Sequence, residues 1–228
     1  VKIIKEPKDG LTLDATDTHY PSILRVVGSP RHEKDPTQTT YGFVLFGTAS
    51  LFGPGGFKAQ LQEGCYYSAP GDHEVIPSDG GTVVAISRFG FRGQWNIGRI
   101  EKVGRLSYID GCSDTILVPP PRLGDPCFNH LHFPPHVLQT QHTHPTIRMG
   151  IVAAGEGHAY QLATNGEGWE YALQKGNLFL LDPQEIHSFR TDKTKSNMEV
   201  VAFHPDSDWG PTDAVHPMRN RTYIGNAR

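Results

Sequence analysis

The sequence predicts an all-β protein, a barrel or a sandwich, and three observations carry that prediction. Its 25 glycines and 18 prolines punctuate a succession of short apolar runs, the pattern of strands joined by turns. No long stretch sustains the 3.6-residue period of an amphipathic helix. The chain also repeats itself weakly. Tyr41-Gly42-Phe43-Val44-Leu45-Phe46-Gly47 lies against Met149-Gly150-Ile151-Val152-Ala153-Ala154-Gly155 at an offset of 149 − 41 = 108. Leu61-Gln62-Glu63-Gly64 lies against Leu173-Gln174-Lys175-Gly176 at 173 − 61 = 112. Two β-barrels in tandem, each the size of one domain, follow from this repeat.

Taken in order, residues 1–20 read as a polar lead-in with one strand at the start. Ile23 to Val27 is a strand, and Gly28 to Gln38, rich in Pro and charge, is a loop. Tyr41–Phe46, Phe57–Gln62, Cys65–Ala69 and Thr82–Phe89 are strands bounded by Gly, Pro or Asp. Gly90 to Arg105 reads as a connector between the halves. Ser107–Ile109, Thr115–Val118 and Phe128–Phe133 come next, the last two stopped by prolines. Gln139–His144, Met149–Ala154, His158–Leu162, Glu170–Gln174, Asn177–Leu181, His187–Thr191 and Met198–Phe203 complete the set. Residues 206–228 read as a polar tail that packs over the barrel or over a second subunit.

The 228 residues suffice for one large domain or two small ones. A net charge of −3 and the absence of any Lys/Arg run argue against a nucleic-acid partner. Cys65, Cys112 and Cys127 are too few and too far apart for a disulfide framework and fit a reducing compartment. No apolar stretch approaches the ~18 residues of a membrane span, and the first residues lack a signal-peptide pattern. The expectation is a cytoplasmic protein with a small-molecule partner, no membrane and no nucleic acid. GxGxxG after a strand, the P-loop and the GxSxG elbow are all missing.

The chemistry concentrates in Gln139-Thr140-Gln141-His142-Thr143-His144-Pro145-Thr146-Ile147-Arg148. Residues two apart on a strand point to one side, so His142 and His144 project together. A third imidazole from a later strand would close a metal site, and imidazole nitrogen suits iron, zinc, copper and nickel. Gly176 to His187 supplies that candidate, His187. The bland alternative is a set of polar strand-face histidines, since the chain has 12.

These residues resemble the cupin family, whose first motif runs Gly, HxH, Glu, Gly and whose second reads G-x5-P-x-G-x2-H. His142 and His144 match the HxH, Gly155 the closing Gly, and Gly176 to His187 keeps the second spacing. Asp182 stands for the motif's Pro, Gln184 for its Gly, and Arg148 where the family places its Glu ligand. The resemblance implies two tandem jelly-roll barrels, a bicupin, divided as residues 1–104 and 105–228. It implies a three-histidine site in the second, and pairing into a homodimer. Subtracting 108 carries His142 onto Lys34 and His144 onto Pro36, and subtracting 112 carries His187 onto Val75, so the first barrel is expected to be degenerate and metal-free.

Arg148 has two readings, a guanidinium for a substrate carboxylate or a surface ion pair. His130 and His132 form a second HxH that either faces the cavity or packs as satisfied histidines. Tyr160, Phe179, Phe189 and Phe203 either line an apolar pocket or are plain core. The resemblance implies first a mononuclear iron(II) dioxygenase acting on a small anionic compound. The alternatives are an isomerase or lyase that uses the metal as a Lewis acid, and a non-catalytic small-molecule-binding cupin. Manganese, nickel, cobalt, copper and zinc are the other metals compatible with such a site.

Overall fold

The computed structural model describes residues 1–163, 167–192 and 197–212. The first half holds β1 (Lys2–Ile4), β2 (Thr12–Ala15), β3 (Ser22–Val27), β4 (Arg31–Glu33), β5 (Thr39–Phe46), β6 (Thr48–Gly53), β7 (Phe57–Gln62), β8 (Cys65–Pro70), β9 (His73–Pro77), β10 (Thr82–Arg88) and β11 (Asn96–Arg99). The second holds β12 (Leu106–Ser107), β13 (Ser113–Val118), β14 (Cys127–Phe133), β15 (Arg148–Leu162), β16 (Gly168–Gln174), β17 (Leu178–Leu181), β18 (Ser188–Arg190) and β19 (Met198–His204). The fold is all-β.

Among the described residues three sheets result. One runs β11-β8-β5-β10-β3-β2, and a second runs β4-β9-β6-β7. The largest runs β1-β17-β15-β19-β14-β13-β12, with β16 and β18 also paired to β15. The N-terminal strand β1 therefore lends an edge to the sheet of the second half, opposite Leu178 to Leu180.

Strand alternation sorts the apolar side chains into three cores. Tyr41, Phe43 and Leu45 of β5 and Val84 and Ile86 of β10 face Met149 and Ile151 of β15 and Val201 and Phe203 of β19. This layer joins the halves, with the Tyr41 ring 5.0 Å from Phe203 and 5.9 Å from Phe128. The intervening residues, Val44, Val83 and Ala85, point into the interior of the first half with Leu51, Tyr67 and Val75. Val152, Val200, Ala202, Phe179 and Leu181 point into the interior of the second.

Pairing registers support the repeat. Thr40 pairs with Ala69 as Arg148 pairs with Leu181, at offsets 148 − 40 = 108 and 181 − 69 = 112. Gly42 pairs with Tyr67 as Gly150 pairs with Phe179. In both pairs the aromatic ring lies over the glycine. A Cβ on Gly42 would come within 2.1 Å of the Tyr67 ring, and one on Gly150 within 2.0 Å of Phe179. Beyond this point the offset changes. Leu51 pairs with Val75 as Ala159 pairs with Phe189, at 159 − 51 = 108 and 189 − 75 = 114. Two extra residues in the turn before His187 account for the step. The partner of His187 in the first half is therefore His73, and not Val75 as the uniform subtraction of 112 predicts.

Several elements differ from the sequence reading. Strands β6 and β9, short and rich in small or polar residues, carry too weak an apolar pattern to be read alone. Met149–Ala154 and His158–Leu162 are one continuous strand. The strand runs through Gly155-Glu156-Gly157, with Gly155 at φ 70°, and its one register shift against β19 falls earlier, between Val152 and Ala154. Gln139–His144 forms no ladder, only a single bridge from His142 to His187. Pro145 has no N–H with which to continue one.

Gly150→Ala should destabilise the fold by about 1–3 kcal/mol through overpacking against Phe179. Adding Phe179→Leu should recover part of that loss. Additive losses in a denaturant double-mutant cycle would show that the ring contact is not the cause.

Candidate metal centre

His142 and His187 are held face to face by backbone. Each N–H donates to the other's carbonyl oxygen at 3.0 Å, an antiparallel bridge. The Gln184 N–H donates to the His144 carbonyl at 2.8 Å and fixes the next residue of the segment. Exposure alternates through Gln141 to Thr146, with His142 and His144 half-buried between exposed neighbours, so two-residue periodicity survives Pro145. His142, His144 and His187 consequently converge. Their ring centroids are 4.6–5.1 Å apart, and one nitrogen from each lies within 4.8 Å of the others.

The imidazoles are oriented as ligands. His142 Nδ1 is 2.9 Å from the Thr140 carbonyl oxygen and His187 Nδ1 is 2.9 Å from that of Glu185. A carbonyl only accepts, so both Nδ1 atoms carry the proton and both Nε2 lone pairs are free to bind a metal. Burial, reinforced by the Arg148 charge and the neighbouring imidazoles, pushes His144 down to about 3. Burial, with His142 and Arg148 adding to it, pushes His187 down to about 4. Neutral imidazole is the form that coordinates. The donor set therefore fits a transition metal.

The histidines line a cavity of about 320 Å³. Phe133, Phe179, Leu181 and Phe189 form its apolar wall, and Asp114, Asn129, Arg148 and His204 are among its polar groups. Ser207, Asp208 and Trp209 close one side. The first residues of the expected tail thus cover the cavity, while residues 213–228, including His216 to Arg221, lie outside the described residues.

Arg148 is only 3% exposed, so it is no surface ion pair. Its Nη1 donates to Thr146 Oγ1 at 2.6 Å and to the Ile147 carbonyl at 2.9 Å, with Asp206 at 3.7 Å. Its Nε has no hydrogen-bond partner. His204 was not singled out from sequence. It ends the Val200-Ala202-His204 face of β19, and its ring lies 6.1 Å from that of His144. Asp114 was also missed. Asn129 Nδ2 donates to its Oδ2, Oδ1 is unpartnered, and burial pushes the carboxyl upward.

The remaining expected pocket residues lie elsewhere. Cys127, Asn129, Leu131 and Phe133 of β14 face the cavity, so alternation turns His130 and His132 to the opposite face. There His130 is buried, with Nε2 3.4 Å from Glu199. Tyr160 stands behind the wall, and its hydroxyl donates to the Gln139 carbonyl at 2.8 Å. Phe203 belongs to the core between the halves.

Gln184 occupies the position of the second-motif glycine at φ 60°, a left-handed conformation that glycine adopts without strain. Gln184→Gly should therefore raise stability by roughly 0.5–1 kcal/mol with metal content unchanged. His142→Ala, His144→Ala and His187→Ala should each remove most bound metal, by more than the ~10–100-fold typical of outer partners. His130→Ala and His132→Ala should leave metal content intact, and elemental analysis of the five variants decides. The pH dependence follows from the depressed imidazoles. Unfolded histidines take up protons near pH 6.5, whereas folded His144 and His187 stay neutral to about 3 and 4. Stability of the metal-free protein is thus fully present above about pH 7 and falls as pH drops from about 6.5 toward 4. Equal denaturation midpoints at about pH 7.5 and pH 5 would contradict this.

Comparison with known proteins bears on the fold. The AraC-like ligand binding domain matches residues 123–221. No curated protein matches the sequence. A Cupin 2 conserved barrel domain protein from Leptotrichia buccalis is similar in structure, with a TM-score of 0.63 and 13% identity over 89% of this chain and 95% of that one. Bacillus subtilis oxalate decarboxylase, in a structure concerned with its Mn(II) centres, gives 0.56 and 10% over 91% of this chain and 76% of that one. Its R92A mutant gives 0.55 and 11% over 89% and 79%. Among the described residues no helix is long and apolar enough to cross a membrane. In fold the chain is thus similar to these cupin-type structures, and its candidate metal cluster lies in the C-terminal half.

Proposed function

We propose that this chain is a metal-dependent enzyme acting on a small carboxylate or carbonyl compound, in a lyase or isomerase reaction. The observation that carries the reading is one cavity, about 320 Å³, shared by three converging imidazoles and a buried guanidinium. Its volume suits a small molecule. A divalent ion held by His142, His144 and His187 would supply Lewis acidity toward a carbonyl or carboxylate oxygen. Arg148 would take the substrate's anionic group, which its unpartnered Nε and charge favour. The apolar wall of Phe133, Phe179 and Leu181 would exclude water and strengthen that attraction. Asp114, its carboxyl pushed upward by burial, would present its unpartnered Oδ1 within the same cavity. In this reading residues 105–228 form the metal-binding barrel. Residues 1–104, apart from the edge strand β1, form a barrel without metal.

Lewis-acid chemistry is preferred over the iron(II) dioxygenase implied by the motif resemblance. Support comes from the manganese decarboxylase among the structures of similar fold. That support is one of fold, which hosts many activities. The AraC-like match favours a second reading, a binding module that senses a small molecule without turnover.

An anaerobic screen of small carboxylic and keto acids with the metal-loaded protein separates these readings. Product formation under nitrogen is expected. Turnover only with oxygen would return the reaction to the dioxygenase class, and saturable binding without product would make the chain a sensor. Arg148→Ala should lower kcat/KM by about 10–100-fold with metal retained, the loss typical of a charged hydrogen bond. Arg148→Lys should rescue poorly, since it lacks the planar fork.

A further inference from the structure

The first half holds polar groups in the position of the second half's cavity. Across four neighbouring strands, Arg25, Ala85, Gly42 and Tyr67 form one row. Asn129, Ala202, Gly150 and Phe179 form the same row in the second half. Asn129 and Phe179 line the cavity there. The bridge repeats as well: Glu33 pairs with His73 as His142 pairs with His187. His73 is oriented like its counterpart, with Nδ1 2.8 Å from the carbonyl of Gly71, two residues before it. His187 uses Glu185 in the same way.

What these groups lack is partners. Arg25 Nη1, Tyr67 OH and His73 Nε2 are all buried without a hydrogen bond. Tyr67 is 0% and His73 2% exposed. Buried polar atoms are almost always satisfied, so three in one interior call for a ligand. A metal does not suit them. Glu33, at the position of His142, already accepts from Arg31 Nε and Gln38 Nε2. Among the described residues the only cluster of three metal-ligating groups is the one in the second half. The charge instead favours an anion. Arg25 and Arg31 face the single carboxylate of Glu33, and Asp14, the other acid near Arg25, is exposed and bonded to Thr16. Tyr67 leans over Gly42, so its hydroxyl is carried along the row toward Arg25, whose backbone lies roughly 10 Å from Gly42.

We propose that the first half contains a second, metal-free binding site for a small hydroxy acid. Arg25 and Tyr67 donate to its carboxylate. The Nε2 lone pair of His73, left free because Nδ1 carries the proton, accepts from its hydroxyl. The site rests on the row and the bridge alone and does not depend on the function assigned to the second half.

The test is calorimetric titration of the full chain with glycolate and with lactate, metal-loaded and again after chelation. One binding event per chain should survive chelation. Tyr67→Phe and Arg25→Gln should each weaken it at least tenfold, with Arg25→Lys as the second variant should Arg25→Gln fail to fold. Without ligand, Tyr67→Phe should melt at the same temperature as the parent or higher, because it removes an unsatisfied hydroxyl. Two results overturn the proposal: no binding after chelation, or binding that Tyr67→Phe and the folded Arg25 variant leave unchanged. A Tyr67→Phe protein that melts lower and shows the parent affinity would likewise assign the row to packing alone.

Discussion

Alternation along two pairs of central strands organises the molecule. On β5 with β10, and on β15 with β19, one set of side chains fills the core between the halves and the other faces an interior. A one-residue slip in the second pair would move Arg148 and His204 out of the cavity and place Met149 and Phe203 in it. The glycine under each aromatic ring guards against such a slip. Phe179 fits only over Gly150 and Tyr67 only over Gly42, because any Cβ there would collide with the ring. Register, and through it the composition of both interiors, is set by these two contacts.

Much of this was legible in the sequence because two-residue periodicity is a local property. The all-β class, most strands of the second half and the shared face of His142 and His144 follow from spacing, whereas His187 was reached through the motif resemblance. The errors arose where the outcome depends on pairing. His130 and His132 have the spacing of His142 and His144, yet only the register of β14 against β19 decides which face of the sheet they occupy. The turn before His187 carries two more residues than its counterpart, so a constant offset missed His73. His204 and Asp114 lie alone in sequence, with no neighbouring motif, and are brought to the cavity by tertiary structure alone.

The halves diverge through their polar substitutions rather than their scaffold. Asn129, Arg148, Phe179 and His204 of the second half stand where the first has Arg25, Thr40, Tyr67 and Ser87. Thr40 and Ser87 satisfy each other through their hydroxyls, 3.1 Å apart. Arg148 cannot be satisfied that way, and Asp206 from the C-terminal segment approaches it instead. A cation at that strand position thus needs an acid from outside the strand repeat.

That segment has a kinetic meaning. Leu123 N–H donates to the Pro211 carbonyl and Gly124 N–H to that of Ser207, both at 2.9 Å. These bonds tether the stretch that carries Ser207, Asp208 and Trp209 across one side of the cavity. Each is worth only about 1 kcal/mol against water. Asp206, at the start of the same stretch, adds its contacts to Thr146 and Arg148. Passage of a small molecule on that side would then depend in part on the peptide groups of Leu123 and Gly124, on a loop that contributes nothing to the histidine cluster.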